Sequence, residues 1–166
     1  YKNWSMSCLK KYFNQIKTDF FVFQGADDYY LPNALQKSIN FLKKNKSYVA
    51  CGGGAILLDP IKNCISRYHL AESHNDSFVS RMDEYLAFTR QLQFSVLRTS
   101  AIKKIIKFIP LNKKLIPDKG FHSERLFNYF VILLGKCNTL SIPYLIRLVG
   151  DYNDGKNLLV QVIVSS

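Results

Sequence analysis

Two adjacent carboxylates, Asp27 and Asp28, come shortly after the apolar run Phe20-Phe21-Val22-Phe23. Side by side they repel each other unless a cation lies near them. A hard divalent ion takes oxygen ligands from one or two carboxylates and completes its shell with phosphate oxygens. It then neutralises the charge that builds on a diphosphate leaving group. The other reading of the pair is a turn that caps the helix expected near Pro32. Glu124 stands at the expected start of a later helix, where free N–H groups and the helix dipole hold a carboxylate in place. So held, it can act as a general base once its pKa is brought toward working pH, or it is a plain helix-start glutamate. His122 is a candidate metal or phosphate contact, or a surface histidine of a loop. Arg147 offers a planar fork of donors that suits a diphosphate, or is a surface cation at a strand end. Arg98 is a further candidate, for acceptor binding or for support of the site.

The elements that must position these residues are read from periodicity. Residues 20–23 are continuously apolar between polar ends, which predicts a strand buried on both faces. Residues 24–30 are expected to leave the sheet as a loop. Pro32 fits the first turn of a helix running to about Lys44, with Leu35, Ile39 and Leu42 inward and Lys37, Lys43 and Lys44 outward. Residues 47–58 are extended through Gly52-Gly53-Gly54, and Asp59-Pro60 ends them. A hairpin and loop are expected over 61–76, and a helix over 78–91. A short strand is expected at 94–97, then a helix at 99–108 and a loop with two prolines at 110–119. A helix over 123–134 ends at Gly135, and residues 139–148 are extended around Pro143. An apolar stripe through Cys8, Leu9, Tyr12, Phe13 and Ile16 predicts one more helix, over residues 4–16. Strands alternate with helices, so the expected class is α/β, a mixed sheet flanked by helices.

Composition narrows the function classes. The 166 residues suit one domain with a sizeable core, and 48% of them are apolar, which excludes a disordered chain. The longest apolar runs are too short to cross a bilayer, and the start has no apolar leader segment. The formal charge of +11 points to an anionic partner, namely nucleic acid, an acidic membrane surface or phosphorylated substrates, or else to solvated lysine-rich faces. The lysines come in scattered pairs rather than one run, and no nucleic-acid motif accompanies them, so nucleic acid is the least supported partner. The four cysteines, at 8, 51, 64 and 137, match no zinc or redox spacing. Cys51 and Cys137 read as small buried hydrophobes, which suits a reducing, cytoplasmic compartment.

The stretch Thr18-Asp19-Phe20-Phe21-Val22-Phe23-Gln24-Gly25-Ala26-Asp27-Asp28-Tyr29-Tyr30-Leu31-Pro32 resembles the DxD-bearing segment of GT-A glycosyltransferases, of the inverting, family 2 kind. Phe41-Leu42, Asn45, Tyr48 and Gly52 to Gly54 are similar to the helix and returning strand of that family. Gln93 to Ser100 is similar to the stretch between the family's two sites. Gly120-Phe121-His122-Ser123-Glu124-Arg125-Leu126 is similar to the segment that carries the catalytic acidic residue. Leu133 to Arg147 resembles the closing helix–Gly–strand–Arg pattern.

The resemblance spans about residues 4–153 and implies a partial GT-A fold, with residues 154–166 as a tail able to add a strand. It implies that Asp27, with Asp28 and His122, binds Mn²⁺ or Mg²⁺, and that Glu124 is the base for the acceptor hydroxyl. Gly25, Ala26, Gly53, Arg98 and Arg147 would line the donor and its diphosphate. Gly25 stands where the family often has its first Asp. The implied activity is transfer of a sugar, with inversion, from a nucleotide sugar to a polysaccharide, glycolipid or other glycan acceptor. Lysine pairs would hold such an enzyme at the inner face of a membrane. The family's nucleotide-holding βαβ half has no counterpart before the acidic segment. The chain alone is therefore expected to bind nucleotide sugar weakly or not at all. The alternatives are an inactive GT-A-like binding module and, less supported, a basic nucleic-acid-binding domain.

Overall fold

A computed structural model describes residues 13, 15–25, 28–88, 91–108 and 121–148, with the backbone alone at 88 and 121–123. The strands are β1 (Phe20–Phe21), β2 (Asp28–Tyr30), β3 (Tyr48–Asp59), β4 (Cys64–His69), β5 (Val96–Arg98) and β6 (Lys136–Leu148). The helices are α1 (Pro32–Lys44), α2 (Phe78–Phe88), α3 (Thr99–Phe108) and α4 (Phe121–Leu134). The α/β class expected from alternation is what the described residues form. The tail from 154, the loop expected over 110–119 and most of the helix expected over 4–16 lie outside the described residues.

The strands make one mixed sheet in the order β1-β5-β3-β6-β2, with β4 on β3. β5 is antiparallel to both β1 and β3, so β1 runs parallel to β3. β6 is parallel to β3, which gives β1, β3 and β6 one direction. β5 covers Ala50 and Cys51 of β3, and β4 takes over the same edge from Gly54 to Asp59. A tight turn joins β3 to β4, with Asp59 Oδ1 accepting from the N–H groups of Ile61 and Lys62. The register between β3 and β6 shifts twice around Gly54 and Pro143. Proline has no N–H to give the ladder, so the strand bulges there rather than pairing evenly.

The middle of the sheet is buried on both faces, while β4 is mostly exposed. Phe21 and Phe23 pack with α3 and α4 through Ile102, Ile105, Phe127 and Val131. Phe20 and Val22 point the other way and pack with Leu35, Ile39 and Leu42 of α1. The doubly buried run expected at 20–23 is therefore present, although strand pairing covers only its first two residues. Each fully buried aliphatic or Phe side chain there contributes about 1.5–3 kcal/mol. Phe13, Phe21, Phe23 and Phe127 form a continuous edge-to-face series, with centroids 5.2, 5.1 and 5.5 Å apart. That series ties the first turns of α4 to the end of β1.

The strand expected at 94–97 is Val96–Arg98, the helix expected over 78–91 is Phe78–Phe88, and two larger expectations change. The loop expected over 24–30 is shorter, because residues 28–30 pair with β6 as β2, Asp28 opposite Arg147. The strand expected at 139–148 starts earlier, at Lys136, immediately after Gly135. A Cβ at Gly135 would lie 2.6 Å from the Val49 side chain, so only glycine lets the chain leave α4 so close to β3. Among the described residues no helix is long and apolar enough to cross a membrane.

Candidate functional site

The carboxyl ends of β1, β3 and β6 lie at one end of the sheet, the end where α/β proteins place ligands. Four segments meet there: the chain leaving β1, the start of β2, the loop Gln91-Leu92-Gln93-Phe94-Ser95 and the last residues of β6. The first turn of α4 closes over them, and β4 brings in Tyr68.

Arg147 is the centre of the polar network. Its Nε donates to Asp28 Oδ1 at 2.8 Å, and the pair is nearly dry, with side-chain exposures of 11% and 0%. Its Nη1 donates to Gln91 Oε1 at 2.9 Å and to the Tyr68 hydroxyl at 3.3 Å. Tyr68 in turn donates to Gln91 Oε1 at 3.0 Å. The guanidinium lies over the Phe94 ring, 4.2 Å from its centroid. The second Asp28 oxygen accepts the Gly25 N–H at 3.0 Å, and the Asp28 carbonyl accepts from the Gln24 amide. Tyr30 and Tyr144 both donate to the Phe94 carbonyl, at 3.1 and 3.0 Å. Burial raises the pKa of Tyr30 well above its ordinary value and raises that of Tyr68, so both phenols stay neutral donors.

Glu124 stands beside this network. It is half-buried in the first turn of α4 and accepts from the Gln93 amide at 3.3 Å. Burial pushes its carboxyl above the usual glutamate range, and the positive charge of Arg147 opposes that rise. The Gln93 side chain is buried, and its carbonyl oxygen has no hydrogen-bond partner. An upward-shifted carboxylate at a sheet end, next to an arginine and a half-satisfied amide, is suited to take a proton from a hydroxyl.

The candidate residues of the sequence fall into separate places. Asp28, Gly25, Arg147 and Glu124 come together at this end. Arg98 sits at the opposite end, because β5 is antiparallel. Its donors go to the carbonyls of Tyr48 (2.7 Å), Asn45 (3.1 Å) and Leu42, and they close the carboxyl end of α1. Gly53 is buried between strands. A Cβ there would lie 2.6 Å from Tyr144 Cβ and 2.8 Å from the Ile142 carbonyl, so the glycine serves the β3–β6 approach. Asp27, Ala26 and the His122 side chain lie outside the described residues. Asp28 does not cap α1, whose N-cap is Leu31 without a side-chain bond. Tyr68, Gln91 and Gln93 join the site without being candidates from the sequence. The sequence signal for the last two is a pair of glutamines flanking Leu92 shortly before β5.

A divalent ion fits the described part of the expected ligand set poorly. Both Asp28 oxygens already accept from donors, and a guanidinium beside them repels a cation. Among the described residues no three His, Cys, Asp or Glu side chains gather as a metal site. No protein-family model matches this chain, and no curated protein matches it.

Proposed function

We propose that this chain is part of a glycosyltransferase that moves a sugar from a nucleotide-sugar donor to a glycan or lipid-linked acceptor, with inversion, on a GT-A-like fold. The observation that carries the reading is Glu124, half-buried beside Gln93 and Arg147 with its carboxyl shifted up by burial. In the proposed step a Glu124 oxygen takes the proton of the acceptor hydroxyl as that oxygen bonds to the anomeric carbon. The bond from that carbon to the diphosphate breaks on the opposite face, and its electron pair leaves with the diphosphate. Arg147 supplies positive charge at the same end of the sheet. Asp27, with His122, would hold Mn²⁺ or Mg²⁺, which would neutralise charge on the leaving diphosphate.

Glu124→Gln tests the proposal, assayed by sugar transfer in the protein as the cell makes it. The expected loss is about 10²–10⁴-fold, the usual worth of a general base. Unchanged transfer by a folded Glu124→Gln protein would reject the assignment.

One observation favours a second reading, an inactive binding module of the same fold. The Asp28 carboxylate is spent on Arg147 and the Gly25 N–H, as in a structural ion pair. In that case wild type and Glu124→Gln would bind a glycan equally, by calorimetric titration, and neither would turn over.

A further inference from the structure

A polar concavity lies away from Glu124, at the end of the sheet where Arg98 sits. It is a cleft of about 360 Å³ lined by Lys17, Asp19, Lys43, Lys46, Arg98 and Lys103, with Thr18, Phe20, Thr99 and Ser100 completing it. We propose that this cleft is a binding site for a phosphate group, separate from the candidate catalytic end and independent of the glycosyltransferase reading.

Three observations carry it. The first is charge. Four lysines and one arginine face a single carboxylate, and they come from the segment before β1, the end of α1, the turn after it, the end of β5 and α3. Among the described residues none of the four lysines has a carboxylate within 4.0 Å. Arg98 gives its hydrogen bonds to neutral carbonyls, and Asp19 is the one carboxylate of the cleft that acts on its charge. Cations gathered from distant points of the chain repel one another, and that cost is recovered when a dianion enters.

The second observation is the start of α3. This ten-residue helix has no acidic side chain in its first turn. The Thr99 N–H is taken by the Asp19 carbonyl at 2.9 Å, which fixes the helix start against the cleft wall. The next N–H groups have no carbonyl one turn earlier within the helix, and such a terminus favours anions.

The third is an unsatisfied hydroxyl. Thr99 lines the cleft, is only 3% exposed, and its Oγ1 has no hydrogen-bond partner. Buried hydroxyls are normally bonded. A phosphate oxygen would accept from it. The need for a compact ligand that carries more than one negative charge and several acceptors points to phosphate rather than carboxylate.

The phosphate could be free or the headgroup of an anionic lipid, and two arms separate these sources. In the first, the whole chain is titrated with inorganic phosphate and followed by amide NMR shifts. In the second, it is co-sedimented with phosphatidic acid vesicles and with neutral phosphatidylcholine vesicles. The test variant is Lys46→Ala/Lys103→Ala. The control is Lys37→Ala/Lys62→Ala, which removes the same charge from exposed positions outside the cleft.

Saturable binding in either arm, centred on Thr99 and Ser100 in the NMR arm, and weakened at least tenfold in the test variant only, supports the site. Saturation by inorganic phosphate assigns a soluble ligand. Binding to phosphatidic acid vesicles alone assigns a lipid headgroup. Equal weakening in test and control variants overturns the proposal, because it would reflect net charge. It is also overturned by no binding in either arm, or by tight binding to random DNA that the test variant keeps.

Discussion

Removing the Asp28 side chain separates a structural ion pair from a metal ligand. The Asp28–Arg147 contact is 2.8 Å long, and the carboxylate is fully buried. Asp28→Ala removes the carboxylate bonded to the guanidinium and leaves the buried Gly25 N–H without this acceptor. Breaking one side of a buried pair costs about 3–5 kcal/mol. An orphaned buried donor alone costs about 1–3 kcal/mol, so the backbone bond is a large part of that loss. A domain of this size has a total stability of about 5–15 kcal/mol. With a urea slope of about 2 kcal/mol per molar, the unfolding midpoint should fall by about 2 M. Asp28→Asn keeps one acceptor oxygen and should lose roughly half as much. Arg147→Met should cost about as much as Asp28→Ala, and the double variant should lose less than the sum of the two, because both remove one interaction. Urea unfolding followed by far-ultraviolet circular dichroism gives all four values. A loss below about 1 kcal/mol in Asp28→Ala would refute the buried-pair argument. So would stabilisation of wild type by Mn²⁺ that Asp28→Ala abolishes, since the carboxylate would then serve a cation.

Packing and charge set three further outcomes. Gly53→Ala drives a Cβ against Tyr144 and the Ile142 carbonyl and should cost about 1–3 kcal/mol, read as a lower thermal midpoint. Glu124 has a raised folded-state pKa, so its contribution is favourable below the ordinary glutamate pKa and is lost as pH rises through the folded value. Glu124→Gln should therefore match wild type in stability near pH 3 and exceed it near pH 7; no pH-dependent difference in urea midpoints would contradict this. Burial pushes the Cys51 thiol up to about 11 and the Cys137 thiol higher still, while Cys64 is exposed. Iodoacetamide on the native protein, mapped by mass spectrometry, should label Cys64 and spare Cys51 and Cys137.

Local pattern alone determined a good deal of this protein. The apolar spacing of Leu35, Ile39 and Leu42 placed α1 with its lysines outward, and the residues from Thr99 to Phe108 form the expected helix. The unbroken run Phe20 to Phe23 announced burial on both sides, since a strand with one wet face would alternate. The burial of Cys51 and Cys137 was legible in their apolar neighbours. Pattern could not show that Asp28 leaves its loop to pair with β6, because its partner Arg147 lies 119 residues on. The same holds for the sheet order. That order puts Arg147 at one end, where α4 adds Glu124, and Arg98 at the other, where it joins the lysines of a cleft. An arginine reads alike in sequence whether it faces a carboxylate, three carbonyls or a ligand. Strand direction and the distant residues folded beside it decide which, through charge and desolvation that act only at close range.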